Sequence, residues 1–172
     1  MNSYIAFFRG INVGGKNIIP MKGLVELLES HGFENVKTYI QSGNVIFQGA
    51  KKPDLEVLSA IESEYGFKPE VLFLQKSEFL RAIKNGPFNA KEGKTSHFYF
   101  CKTKPRLDQV KLKKYAAESE TYQLAGNVFY LHAPDGIGRS KLVANIEQCL
   151  GVVATGRNLN TVNKVLDMVQ SA

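Results

Sequence analysis

The sequence predicts an α+β protein made of tandem ferredoxin-like (split βαβ) halves with antiparallel sheets, plus a C-terminal helix. Three observations carry this. Short apolar runs alternate with amphipathic stripes in the order β-α-β-β-α-β; the same order returns after a linking helix; and two hairpins with matching residues occupy the same place in each run. The division expected is 1–76 for the first half, 77–95 for a linking helix and loop, and 96–172 for the second half with the final helix.

Tyr4 to Phe8 is a short apolar run, hence a buried strand, and Met21, Leu24, Val25 and Leu28 make a helical stripe with Pro20 in its first turn. VKTYIQSGNVIFQ, residues 36–48, is two strand-like runs broken at Ser42-Gly43, a hairpin. A helix over 54–65 and a strand over 70–74 complete the first half. A linking helix near 77–84 ends at Asn85-Gly86-Pro87. Then come a strand over 97–101, a helix over 107–117, a hairpin over 121–131, a helix over 142–150 and a strand over 152–155. Tyr39, Gly43, Asn44, Val45 and Phe47 align with Tyr122, Gly126, Asn127, Val128 and Tyr130 at one constant offset, which suggests an internal duplication. Leu159, Val162, Val165, Leu166 and Val169 form the packing side of the last helix.

The split βαβ implies the strand order 4-1-3-2 with both helices on one sheet face. The central strands are apolar or aromatic on both alternations, so both faces should be covered, either by the two sheets or by a second chain as in a homodimer.

The chain has 172 residues, 44% of them apolar, enough for a buried core. The N-terminal segment lacks a basic leader with a long apolar run and no stretch is long enough to span a membrane, so a cytoplasmic location without membrane partners is expected. Cys101 and Cys149 stand apart from any His or second Cys; they read as buried apolar fillers, and no metal site or cofactor is expected. Residues 86–117 carry eight Lys/Arg against two Asp/Glu, an excess as large as the whole net charge of +6. That segment is a candidate polyanion surface.

Three loops hold the candidate ligand-binding residues. In FFRGINVGGKNIIP, Gly10, Gly15 and Lys16 have the G-x-x-x-x-G-K spacing of a phosphate loop. Asn17 replaces the metal-binding hydroxyl, and Pro20 delays the helix whose N-terminus should face the phosphate. Hydrolysis is therefore not expected, whereas Arg9, Asn12, Gly14, Gly15 and Lys16 either hold an anion or merely turn the chain. In HAPDGIGRSK, Ser140 is an N-cap candidate, with Arg139 and Lys141 beside it for a phosphate or carboxylate. In TGRNLNT, Asn158 or Asn160 can cap the last helix and Arg157 adds a cation. His31, His97 and His132 lie on separate elements, no nucleophile elbow is present, and catalytic residues cannot be named. The aromatic strands at 97–101 and 128–131 lack the Arg/Lys-Gly-aromatic signature of RNA-recognition domains.

RGINVGGKN, TYIQSGNVIF, NGPF, GRSKL and TGRNLNTVNKVL occur in that order along nearly the whole chain. In these motifs the sequence resembles a bacterial family known as a domain of unknown function, number sixteen ninety-seven. Leu159 stands where that family usually has Trp, so no role for an indole is carried over. The resemblance implies a cytosolic α+β protein with two ferredoxin-like halves; it brings no activity, substrate or cofactor. The expected function is a non-catalytic binding module for an anionic ligand, a phosphate-containing small molecule or nucleic acid. The alternatives are an enzyme acting on a phosphorylated or carboxylate metabolite, or an assembly module whose polar loops only cap helices.

Overall fold

A computed structural model describes residues 1–88 and 90–171; Asn89, inside the expected linking stretch, and Ala172 lie outside the described residues. The strands are β1 (Asn2–Arg9), β2 (Glu34–Tyr39), β3 (Asn44–Gly49), β4 (Glu70–Gln75), β5 (Ser96–Cys101), β6 (Thr121–Ala125), β7 (Val128–His132) and β8 (Ala154–Asn158). The helices are α1 (Met21–Ser30), α2 (Leu55–Tyr65), α3 (Lys76–Lys84), α4 (Gln109–Tyr115), α5 (Lys141–Ala144), α6 (Ile146–Leu150) and α7 (Leu159–Ser171). The strands form two four-stranded antiparallel sheets, ordered β2-β3-β1-β4 and β6-β7-β5-β8. Each is the 4-1-3-2 order of a split βαβ half.

Compactness divides the chain into two units. One is Met1–Arg81 together with the chain from Lys164 onward, and the other is Ala82–Asn163, so the division passes through α3 and α7.

In the first unit, alternation along β1 sends Tyr4, Ala6 and Phe8 to one face, where Val45 and Phe47 of β3 and Val71 and Phe73 of β4 join them. Leu24 and Leu28 of α1 and Val57 and Ile61 of α2 cover that face. Phe47 is the hub of this core, stacked on Tyr4 at 5.7 Å and edge-on to Phe33 and Phe73 at 5.1 and 6.3 Å. Ile5 and Phe7 point the other way and are equally buried, with Phe7 6.1 Å from Phe79 of α3. Burial on both faces explains why β1 reads as an uninterrupted apolar run. The Asp54 carboxylate caps α2 by accepting from the Glu56 and Val57 amides.

The second unit repeats the scheme. Tyr99 and Cys101 of β5, with Phe129 and Leu131 of β7, meet Leu112, Leu142, Ile146, Cys149 and Leu150 from the helices. Three boundaries differ from expectation. The helix over 142–150 is two short ones, because the Asn145 side chain donates to the Lys141 carbonyl at 2.8 Å and leaves the helical conformation. The helix over 107–117 is shorter, since Asp108 caps it and Ala116 is extended. The last strand runs on to Asn158, because Gly156 gives the Tyr99 ring room: a Cβ at 156 would lie 2.7 Å from Tyr99 Cε1.

Gly156→Ala should therefore overpack the β5–β8 pair at a cost of about 1–3 kcal/mol. Thermal unfolding checks this; an unchanged melting temperature would show that Tyr99 does not require the missing Cβ.

Candidate binding site

The first loop is a self-contained hairpin. β1 ends in Arg9, whose partner across the β4 ladder is Glu70, an opposite charge in direct register. Beyond it the Asn12 amide donates to the Asn17 carbonyl at 3.0 Å and the Lys16 amide to the Val13 carbonyl at 3.1 Å. Gly14 and Gly15 between them have φ of +61° and +72°, the two positive values of a type I′ turn. The Asn12 side chain closes the base of the hairpin: Nδ2 donates to the carbonyls of Ile19 and Gln41 at 2.9 and 2.7 Å, and Oδ1 accepts from the Ile19 amide at 2.8 Å. Both amide hydrogens of Asn12 are thus engaged in shaping the loop. Lys16 is exposed at the tip, and α1 begins only at Met21, after an extended Pro20. The G-x-x-x-x-G-K letters fall on a hairpin tip and not on a helix N-terminus.

The second loop places Ser140 as the N-cap of α5: Oγ accepts from the Val143 amide at 3.1 Å and donates to Glu120 Oε2 at 2.6 Å. Arg139 and Lys141 are exposed on either side of it. In the third segment Asn158 Oδ1 accepts from the Thr161 amide at 2.9 Å and so caps α7. Asn160 packs on Gly93, whose carbonyl accepts from the Asn160 amide at 3.2 Å.

Arg157 belongs to β8 itself, opposite Phe98, and its Nη1 donates to the Gly156 carbonyl at 2.9 Å. Burial pushes its guanidinium down to about 10, which leaves it charged at neutral pH.

Arg9 to Lys16 belong to the first unit, and Arg139 to Lys141 and Arg157 to Asn160 to the second. Within the second sheet the latter two groups share one end, where Thr121, His132 and Asn158 lie, but at opposite edges. Three strand spacings, about 14 Å, separate those edges.

The structure also assembles residues that the sequence left apart. His132 Nε2 lies 3.5 Å from Glu92 Oε2 and 3.2 Å from Thr95 Oγ1. The two groups border a cavity of about 220 Å³ with Phe88, Thr121, Gln123 and Tyr130. Hairpin alternation puts 121, 123, 130 and 132 on one face, a signal the sequence does carry; Glu92, from a 3₁₀ turn (Ala90–Glu92), has none. Both cysteines are buried and free, and burial raises the Cys101 thiol to about 11 and the Cys149 thiol above its ordinary value, so neither is an activated nucleophile. Among the described residues no His, Cys, Asp or Glu cluster could hold a metal ion. Nor is any described helix long and apolar enough to cross a membrane.

A protein-family model described as "Protein of unknown function (DUF1697)" matches residues 1–130. The chain belongs to this family. Its sequence is also similar to a solved structure, the conserved bacterial protein SP0830 from Streptococcus pneumoniae, at 24% identity over 99% of each chain and with a TM-score of 0.74. At that identity the likeness supports the fold alone. No curated protein matches.

One group in this family member links the site to stability. His97, on the helix-covered face of β5, is 6% exposed, its Nε2 has no hydrogen-bond partner among the described residues, and burial first and then the charge of His132 hold it below its ordinary 6.5. A ring whose folded pKa lies below its unfolded one contributes fully above about 6.5. As pH falls further, the unfolded chain binds the proton first and stability is lost. Urea midpoints should therefore drop between pH 7.5 and 5, and His97→Gln should flatten that drop. Asn12→Ala should cost about 1–3 kcal/mol by leaving the buried Ile19 backbone groups unpaired; an unshifted urea midpoint would remove the loop-closing role.

Proposed function

We propose that the protein is a non-catalytic binding module for a polyanion, with its contact surface in the basic segment of the second unit. The observation that carries this reading is the layout of residues 102–114. Lys102, Lys104 and Arg106 follow β5, and Lys111, Lys113 and Lys114 lie on α4. All but the half-buried Lys111 are exposed. The only carboxylate in that stretch, Asp108, accepts from the Lys111 amide at 3.0 Å as the helix cap. Backbone bonds from Lys102 to Val153, Arg106 to Leu150 and Asp108 to Cys149 pin the segment, so its cations are presented from a fixed backbone.

A cluster of exposed cations on a fixed backbone suits the regular negative charge of a nucleic acid, whose binding gains free energy from counterion release and needs no base contacts. Lys16 in the first unit and Arg139 and Lys141 in the second add exposed positive charge, whereas Asn12, Ser140, Asn158 and Asn160 are better accounted for by the loops and helices they hold. A cytoplasmic location belongs to the same reading. An internal duplication is supported by the shared strand order of the two sheets and by the positive φ of Gly43 and Gly126 at matching turns.

Binding of a fluorescent single-stranded 20-mer, titrated at several KCl concentrations, tests the proposal. Log affinity should fall linearly with log salt, and the combined substitution Lys104→Ala, Lys113→Ala, Lys114→Ala should reduce the slope by about 2, roughly 0.7 for each lost phosphate contact. Salt-independent binding, or an unchanged slope in the variant, would rule the surface out.

A further inference from the structure

The cavity beside His132 differs in character from the basic segment. Its floor is the β6–β7 hairpin on the face away from α4, α5 and α6, where Thr121 pairs with His132 and Gln123 with Tyr130. Phe88 forms an aromatic wall, edge-on to Tyr130 at 5.8 Å and to Phe98 at 5.5 Å. The floor is fixed, because Tyr130 Oη donates to the Ala82 carbonyl at 2.6 Å and Tyr130 is 1% exposed. Glu92 stands at the rim with its side chain 44% exposed, held toward His132.

Three properties define an occupant. The volume, about 220 Å³, is below the roughly 300–1,000 Å³ of pockets for drug-sized ligands, so one ring system fits. The aromatic wall at Phe88 favours a flat π-face. The polar lining is the Glu92 carboxylate, the Gln123 amide, the Thr121 hydroxyl and the His132 imidazole, with no Lys or Arg among the described lining residues. Glu92 disfavours an anion beside it, and the Glu92 carboxylate and Gln123 carbonyl accept hydrogen bonds from N–H groups. Glu accepting from an exocyclic amine, and Gln pairing with an amine and a ring nitrogen, are pairings that recognise amino-bearing bases.

We propose that this pocket binds an amino-substituted nucleobase, stacked against Phe88, with its exocyclic amine donating to Glu92 and its ring edge meeting Gln123. The base comes either as a free nucleoside or as an unstacked base of a single strand. The site stands apart from the polyanion surface, since none of its lining residues belongs to the basic segment 102–114.

Isothermal titration with adenosine, cytidine, inosine and uridine tests it, with oligo-A and oligo-U at high salt as the strand arm. Adenosine and cytidine should bind at least about tenfold more tightly than inosine and uridine, which lack the amine. Phe88→Ala should weaken adenosine about tenfold, Glu92→Gln should remove the preference for the amine, and the exposed Gln123→Ala should weaken adenosine without lowering the melting temperature. The Lys104/Lys113/Lys114 variant should bind adenosine unchanged, which separates failure of this site from failure of the polyanion surface. Equal affinity for all four nucleosides together with no difference between the two oligomers, no saturable binding of any probe, or indifference to Phe88 and Glu92 would each overturn the proposal. Preference for oligo-A with no adenosine binding would assign the site to strands, and equal binding of both would assign it to the free nucleoside.

Discussion

The register of β5 between β7 and β8 is the constraint on which the second unit depends. It is antiparallel on both sides, so each β5 residue fixes the face of one partner on either neighbour. Phe98 sets Tyr130 and Arg157 on its own face, and Tyr99 sets Phe129 and Gly156 on the opposite one. A slip of β5 by one residue would turn Tyr99 out of the helix-covered core and put Phe98 in its place. The core therefore enforces the register, and the register places His132 beside Ser96 and sets Arg157 beside Phe98 on the other side.

Much of the fold was legible in the amino-acid sequence because period-2 and period-3.6 patterns report burial, and burial is what organises these sheets. Tyr4 to Phe8 was readable as a strand covered on both sides for that reason. The misreadings arose where local chemistry overrides pattern. Asn145 breaks a helix whose apolar stripe continues straight through it, and TGRN has the composition of a loop yet pairs as strand, because Gly156 accommodates the Tyr99 ring. Composition cannot reveal such a fit, since it depends on a residue far away in the chain.

The candidate sites divide along the same line. Glycines and asparagines stood out as polar motifs, and their geometry ties most of them to turns and caps: Gly14-Gly15 to a type I′ turn, Asn12 to loop closure, Ser140 and Asn158 to helix starts. The chemistry that remains lies in plainer residues. Lys and Arg of 102–114 were visible as a charge excess, whereas Glu92, Phe88 and Gln123 come together only through folding and carry no local signature.

The division of the chain through α3 and α7 has a practical consequence for fragments. The second unit is contiguous, Ala82–Asn163, but the first is interrupted by it and resumes at Lys164 with the buried Val165 and Val169. Expression of the N-terminal 81 residues alone would omit those two valines, whereas a fusion that rejoins Arg81 to Lys164 through a flexible linker would keep them. The second unit is thus an insertion within the first. Synthesis therefore adds the last residue of the second unit, Asn163, before the segment from Lys164 that completes the first.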